Sequence, residues 1–149
     1  MKLSKIFCFL SICAVSWANA QWLVTSPTSG QKRLMDSKED AEIDAAKGYS
    51  VASMCDIQKS KGNCKINKIK KSDLMECSMK IQEKPRKSEG HWYIDFTIRC
   101  NDGYSRDLAF YDQDDYKISF SKYSLDGNFK GSIEIESPEI KLKSVTFDD

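Results

Sequence analysis

Apolar and polar residues alternate most regularly in the C-terminal half of the chain, and that alternation predicts strands. His91–Cys100 is the clearest run: Trp92, Ile94, Phe96 and Ile98 share one face, and Tyr93, Asp95, Thr97 and Arg99 the other. A period of two marks a half-buried strand. Leu74–Gln82 alternates in the same way. Asn101-Asp102-Gly103 supplies a tight hairpin turn, and Tyr104–Tyr111 follows with Leu108 and Phe110 on one face. The polar turn Asp112–Asp115 leads into Tyr116–Tyr123, where Ile118 and Phe120 point inward. A second turn signal at Asp126-Gly127 precedes Phe129–Glu136, and Pro138 separates that strand from Glu139–Phe147. In the last strand the apolar face shifts from Ile140 and Leu142 to Val145 and Phe147, which predicts a β-bulge.

The N-terminal half is less regular. Gln21–Gly30 starts strand-like and is broken by Pro27 and Gly30. One helix is predicted after it. Ser37 can cap, Glu39 and Asp40 place negative charge in the first turn, Ala41–Ala46 favours helix, and Gly48 ends it. Its acidic residues, Glu39, Asp40, Glu42 and Asp44, read as a solvated outer face. Between Tyr49 and Asp73 the pattern weakens. The sum is a mainly β domain: an antiparallel meander of about six strands, curled into a half-barrel or small sandwich so that no apolar face stays wet, with one short N-terminal helix over an end or face.

The first twenty residues do not belong to that domain. Lys2 and Lys5 begin them, an apolar run extends from Ile6 to Trp17, and Ala18-Asn19-Ala20 gives the small-x-small pattern a signal peptidase requires. The run is shorter than the roughly 20 residues that span a bilayer. Residues 1–20 therefore read as a cleavable signal peptide cut after Ala20, and 21–149 as a single disulfide-containing β domain, secreted or periplasmic. Gln21 stands where a lipoprotein would need cysteine, and no second apolar stretch of spanning length follows, so the cleaved chain is expected not to span a membrane. The absence of an Asn-x-Ser/Thr sequon fits a periplasm without excluding secretion.

Removing Lys2 and Lys5 with the leader turns a formal charge of +1 into −1. A near-neutral domain argues against nucleic acid as a partner, which usually shows as a strongly basic fold. Cleavage also removes Cys8 and Cys13, leaving Cys55, Cys64, Cys77 and Cys100. An even count in an oxidising compartment implies disulfides. Cys77 shares a face with Met75, Met79 and Ile81, and Cys100 shares one with Trp92 to Ile98. If those runs are neighbouring antiparallel strands joined by the polar loop from Glu83 to Gly90, the two cysteines meet. The expected pairs are then Cys77–Cys100 and Cys55–Cys64, the second closing a short loop around Gly62. No C-x-x-C occurs and the single histidine is not spaced as a ligand, so a zinc or redox site is not expected.

Catalytic signals are weak. His91 would need an orienting acid and a nucleophile; Glu89 and Ser88 are near in sequence, which fixes no geometry. No nucleophile elbow, H-E-x-x-H or P-loop is present. Asp112-Gln113-Asp114-Asp115 resembles half a calcium site but lacks the further spaced acceptors. No enzyme, cofactor or metal is predicted. Two surface features stand out. Lys59, Lys61, Lys65, Lys68, Lys70 and Lys71, interleaved with Ile66 and Ile69, form an amphipathic edge strand or short helix that would attract an anionic lipid, glycan or acidic protein, or simply guard a strand edge. Lys84-Pro85-Arg86-Lys87 reads as an exposed loop. Tyr104, Tyr111, Tyr116 and Tyr123 recur in successive strands and suit either a binding face or cross-strand packing.

The leading expectation is thus a small exported, non-enzymatic binding or interaction protein whose partner is a protein of the cell envelope or extracellular space, an inhibitor or immunity-type protein being one concrete form. A carrier with an apolar cavity lined by Trp92, Phe96, Phe110 and Phe120 is the second. A hydrolase using His91 is the third.

Overall fold

The computed structural model describes residues 21–69, 74–101, 107–120 and 128–148, which form eleven strands and one helix. In chain order these are β1 (Gln21–Thr25), β2 (Lys32–Met35), α1 (Lys38–Ala46), β3 (Ser50–Asp56), β4 (Asn63–Ile69), β5 (Leu74–Ile81), β6 (Arg86–Ser88), β7 (His91–Cys100), β8 (Asp107–Asp112), β9 (Lys117–Phe120), β10 (Asn128–Ile135) and β11 (Leu142–Asp148). The protein is mainly β, with an antiparallel sheet curled into a half-barrel. Its neighbour order is β10-β7-β5-β4-β3-β11-β8-β9, with β1 joining β3 to β2 and β6 lying along β7. The path is richer than a meander: β10 returns to β7, and β11 enters between β3 and β8. The two ends of the curl approach at Phe120 in β9 and Phe129 in β10, whose ring centroids are 5.8 Å apart.

The alternating runs line the inside. Met75, Cys77, Met79 and Ile81 of β5, Ile94, Phe96 and Ile98 of β7, and Ile133 and Ile135 of β10 bury their side chains in one core with Leu108 and Phe110 of β8. Phe96 is its hub, with ring centroids 5.2 Å from Phe110 and 5.0 Å from Phe120. The expected bulge is present in β11, where the register to β8 shifts between Leu142 and Ser144. The turns at Asp102-Gly103 and Asp126-Gly127 lie outside the described residues.

A second, smaller core sits on the other face of β3. Ala41 and Ala45 of α1 pack there against Trp22, Val24, Val51 and Ile69. Ser37 caps the helix, its hydroxyl accepting from Asp40 N–H at 3.2 Å. One expectation about this helix is corrected. Asp44 is not on a solvated face but 5% exposed, where it takes an ion pair from Arg33 and a longer contact of 3.5 Å from Lys47. The helix must press its Asp44 face onto the sheet because Ala41 and Ala45 are the residues that seat it, and Arg33 from β2 supplies the counter-charge a buried carboxylate requires.

The weakly patterned stretch from Tyr49 to Asp73 contains two central strands. β3 sends Ala52 and Cys55 into the main core and Val51 into the helix core, so both its faces are buried and no alternation shows. β4 lies between β3 and β5, an interior strand and neither an edge strand nor a helix. Lys84-Pro85-Arg86-Lys87 also departs from a simple loop, since Arg86 and Lys87 belong to β6 and pair with Tyr93 and Trp92. Disulfides join Cys55 to Cys64 and Cys77 to Cys100; Cys77 and Cys100 are direct register partners across β5 and β7. The two bonds fit an oxidising extracellular or periplasmic location. Among the described residues no helix is long and apolar enough to cross a membrane.

Candidate functional site: the outer face of β5, β7 and β10

Register places the outward residues of three adjacent strands in rows. Ser78 of β5 stands beside Arg99 of β7, which stands beside Asn128 of β10. The next row is Lys80, Thr97 and Lys130, and beyond it Asp95 lies beside Ser132. Tyr93 follows, between Arg86 of β6 and Glu134 of β10. Lys80, Arg86, Arg99 and Lys130 are exposed. The centre of this face is a shallow depression of about 490 Å³ whose lining includes Lys80, Arg86, Asp95, Thr97, Lys130 and Ser132.

Arg86 is the best fixed of these cations. Its Nε donates to Asp95 at 2.6 Å, and its Nη2 to the Ser132 hydroxyl at 3.2 Å. Ser132 in turn donates to the other oxygen of Asp95 at 2.6 Å. The guanidinium lies 5.0 Å from the centroid of the Tyr93 ring, within cation–π range. The Arg86 hydrogen bond holds the Asp95 carboxyl below its ordinary value against the opposing effect of partial burial, and Ser132 adds to the lowering. Asp95 correspondingly raises Arg86. The Ser132–Asp95–Arg86 chain thus holds the guanidinium in a fixed orientation over Tyr93.

His91 lies near this face, at the start of β7. Its Nδ1 is 2.6 Å from Glu134, and both side chains are more than half exposed, at 59% and 57%. The carboxylate beside it is therefore Glu134 and not the sequence neighbour Glu89.

Among the described residues the lysines of the stretch from Lys59 to Lys71 differ in setting. Lys59 pairs with Asp56 at 3.1 Å, and Lys65 with Glu76 at 3.3 Å. Burial alone would raise the Asp56 carboxyl, but hydrogen bonds from the Lys59 N–H and ammonium outweigh it, and the value is lowered. Lys68 is 6% exposed, on the inward series of β4 opposite Met75. Lys61 is exposed on the turn between β3 and β4, while Lys70 and Lys71 lie outside the described residues. Of the tyrosines, Tyr111 is half-buried in β8 and Tyr116 is 73% exposed in the following turn; Tyr104 and Tyr123 lie outside the described residues.

The aspartates of that turn are occupied by the fold. Asp112 Oδ1 accepts from the Asp114 and Tyr116 N–H groups, both at 2.9 Å, and Asp115 receives Lys143 at 2.7 Å. Among the described residues no three carboxylate, histidine or cysteine groups gather as metal ligands. The face expected to line an apolar cavity is filled by its own rings, Phe96 packing on Phe110 and Phe120.

The cationic outer face was missed in the sequence because its members are far apart along the chain. The signal that could have found it is the outward set of His91–Cys100 itself, once flanked by the lysines at 80 and 130. No protein-family model matches the chain, and no curated protein or solved structure matches it.

Proposed function

We infer that this is an exported, non-enzymatic binding protein whose partner is a protein of the cell envelope or extracellular space, engaged through an acidic surface laid on the outer face of β5, β7 and β10. The observation that carries the reading is the Lys80–Thr97–Lys130 row beside an arginine already immobilised over Tyr93. Two exposed lysines and Arg86 on one face give a local cationic surface that an acidic partner complements. Tyrosine and arginine are the residue types that anchor protein interfaces, and a side chain held in place before binding loses less entropy when the partner arrives. An inhibitor or immunity-type protein is one form this activity takes.

The test is a photo-crosslinking amino acid at Thr97, in the cells that export the protein, with Lys38 on the far helix as the control position. The reading expects one discrete protein adduct from position 97, absent from position 38 and lost when Lys80 and Lys130 are both changed to glutamate. No adduct at 97, or an adduct indifferent to the charge reversal, overturns it.

A further inference from the structure

A second cavity opens beside that face, the two meeting at Gln82, which lines both. It measures about 550 Å³ and opens at one end of the half-barrel, between the β3–β4 turn, the segment after β5 and the start of β11. Its floor is apolar: Ile57, Ile81, Ile94 and Leu142, all members of the main core. Its rim carries Lys61, Lys84 and Lys141, with Glu83 as the single acidic residue among the lining side chains. None of the three lysines makes an ion pair among the described residues, whereas Lys59 and Lys65 nearby in the chain each have a carboxylate partner.

The rim is built on anchored backbone. Lys61 sits at φ +51°, in the left-handed region, inside the loop that Cys55–Cys64 closes. Gly62 fastens that loop to the end of β5, its carbonyl accepting from Ile81 N–H at 2.8 Å. The Lys141 N–H donates to Gln113 at 2.7 Å. Three cations thus line one apolar recess, two of them on anchored backbone, and an anion seated among them would be favoured by all three. The volume lies within the range of small-molecule sites, which combine an apolar lining with a few placed polar groups. No arginine fork or helix N-terminus, the usual recognition elements for phosphate, contributes to the lining.

We propose that this end cavity binds a free single-chain fatty acid, the alkyl chain against Ile57, Ile81, Ile94 and Leu142 and the carboxylate among Lys61, Lys84 and Lys141. The site borders the outer face at Gln82, but its lysines and its apolar floor are not part of that face, and the proposal does not rest on a protein partner there. The experiment is calorimetric titration of the oxidised protein with dodecanoate, dodecanol, dodecyl phosphate, dodecyltrimethylammonium and acetate. The expected result is one dodecanoate per chain, at least tenfold weaker binding of dodecanol, and no detectable binding of acetate or the ammonium. A Lys61→Gln/Lys84→Gln/Lys141→Gln variant, unchanged in circular dichroism and thermal midpoint, loses at least tenfold for dodecanoate and almost nothing for dodecanol. Absence of dodecanoate binding, equal binding of the ammonium, or an unaffected triple variant overturns the proposal. Preference for dodecyl phosphate overturns the carboxylate assignment.

Discussion

Gly131 of β10 is the register partner of Phe96 of β7, and a Cβ on the glycine would come within 2.5 Å of the Phe96 ring and 2.9 Å of the Phe129 ring. The missing side chain is what lets Phe96 lie over β10 and reach Phe110, Phe120 and Phe129. Because Phe120 and Phe129 are where the ends of the curl approach, the space at Gly131 controls how tightly the half-barrel closes. Gly131→Ala should destabilise the fold by about 1–3 kcal/mol through overpacking. A urea midpoint checks it, and in a double-mutant cycle Phe96→Leu should recover part of the loss because the two sites share one space.

Gly62 faces a harder obstacle, since its neighbour is backbone. A Cβ there would lie 2.5 Å from the Ile81 carbonyl oxygen, and φ is +75°. An alanine must accept the left-handed conformation, at roughly 1–2 kcal/mol, and also push β5 away from the turn. Gly62→Ala should therefore lower stability by more than the conformational term alone. Hydrogen exchange should show the Ile81 amide, which donates to Gly62, opening before the rest of β5.

Arg86 and Asp95 give a pH signature with a definite sign. The folded carboxyl of Asp95 lies below its ordinary value, chiefly through the Arg86 hydrogen bond. Its contribution to stability is therefore fully present above the unfolded carboxylate value, about 3.9, and is lost as pH falls through the lowered folded value. Arg86→Ala should move the Asp95 titration upward when followed by carboxyl NMR, and should flatten the acid limb of the stability curve. Ser132→Ala should move it upward by less. An Asp95 titration that stays in place in Arg86→Ala refutes this account of the pair.

These residues also mark where the sequence was readable and where it was not. His91–Cys100 could be read because one face of β7 meets the core and the other meets solvent, and the bulge in β11 showed as a slip of the same alternation. β3 could not, because Val51 and Ala52 are both buried, in different cores. β4 reads as an edge strand or short helix because of its lysines, and Lys68, a charged residue on an inward position, conceals that the strand is interior. β6 was hidden by its own charges and by a two-residue turn made of Glu89 and Gly90, at φ +50° and +91°, rather than of Asn-Gly or Asp-Gly.

The candidate sites were legible only in fragments. Lys61 stands out in the sequence for its charge, but the lysines that line its cavity with it are Lys84 and Lys141, brought there by the packing of three segments. Arg86 meets Asp95 only because the Glu89-Gly90 turn sets the β6–β7 register. Pairings of this kind depend on tertiary register, which alternation along one strand does not encode.

The two disulfides should contribute unequally. Both constrain the unfolded chain, and in the chain-entropy description the effect grows with the logarithm of the loop closed. Cys77–Cys100 closes a separation of 23 residues and Cys55–Cys64 one of 9. Loop entropy alone then makes the longer bridge worth about 0.8 kcal/mol more. Each should fall within the usual range of about 2–4 kcal/mol. Position acts in the same direction: the bond ties β5 to β7 at directly opposed residues, next to the Asn101 N–H that donates to Glu76 at 3.0 Å. Guanidinium unfolding of the Cys55→Ala/Cys64→Ala and Cys77→Ala/Cys100→Ala variants, both kept under oxidising conditions, should give the larger loss for the second pair. The first pair should instead loosen the turn carrying Lys61 and Gly62, seen as faster exchange of the Gly62 amide. A larger loss of global stability for the Cys55–Cys64 variant would mean that the β3–β4 turn, and not the β5–β7 ladder, is the part of the fold most dependent on its crosslink.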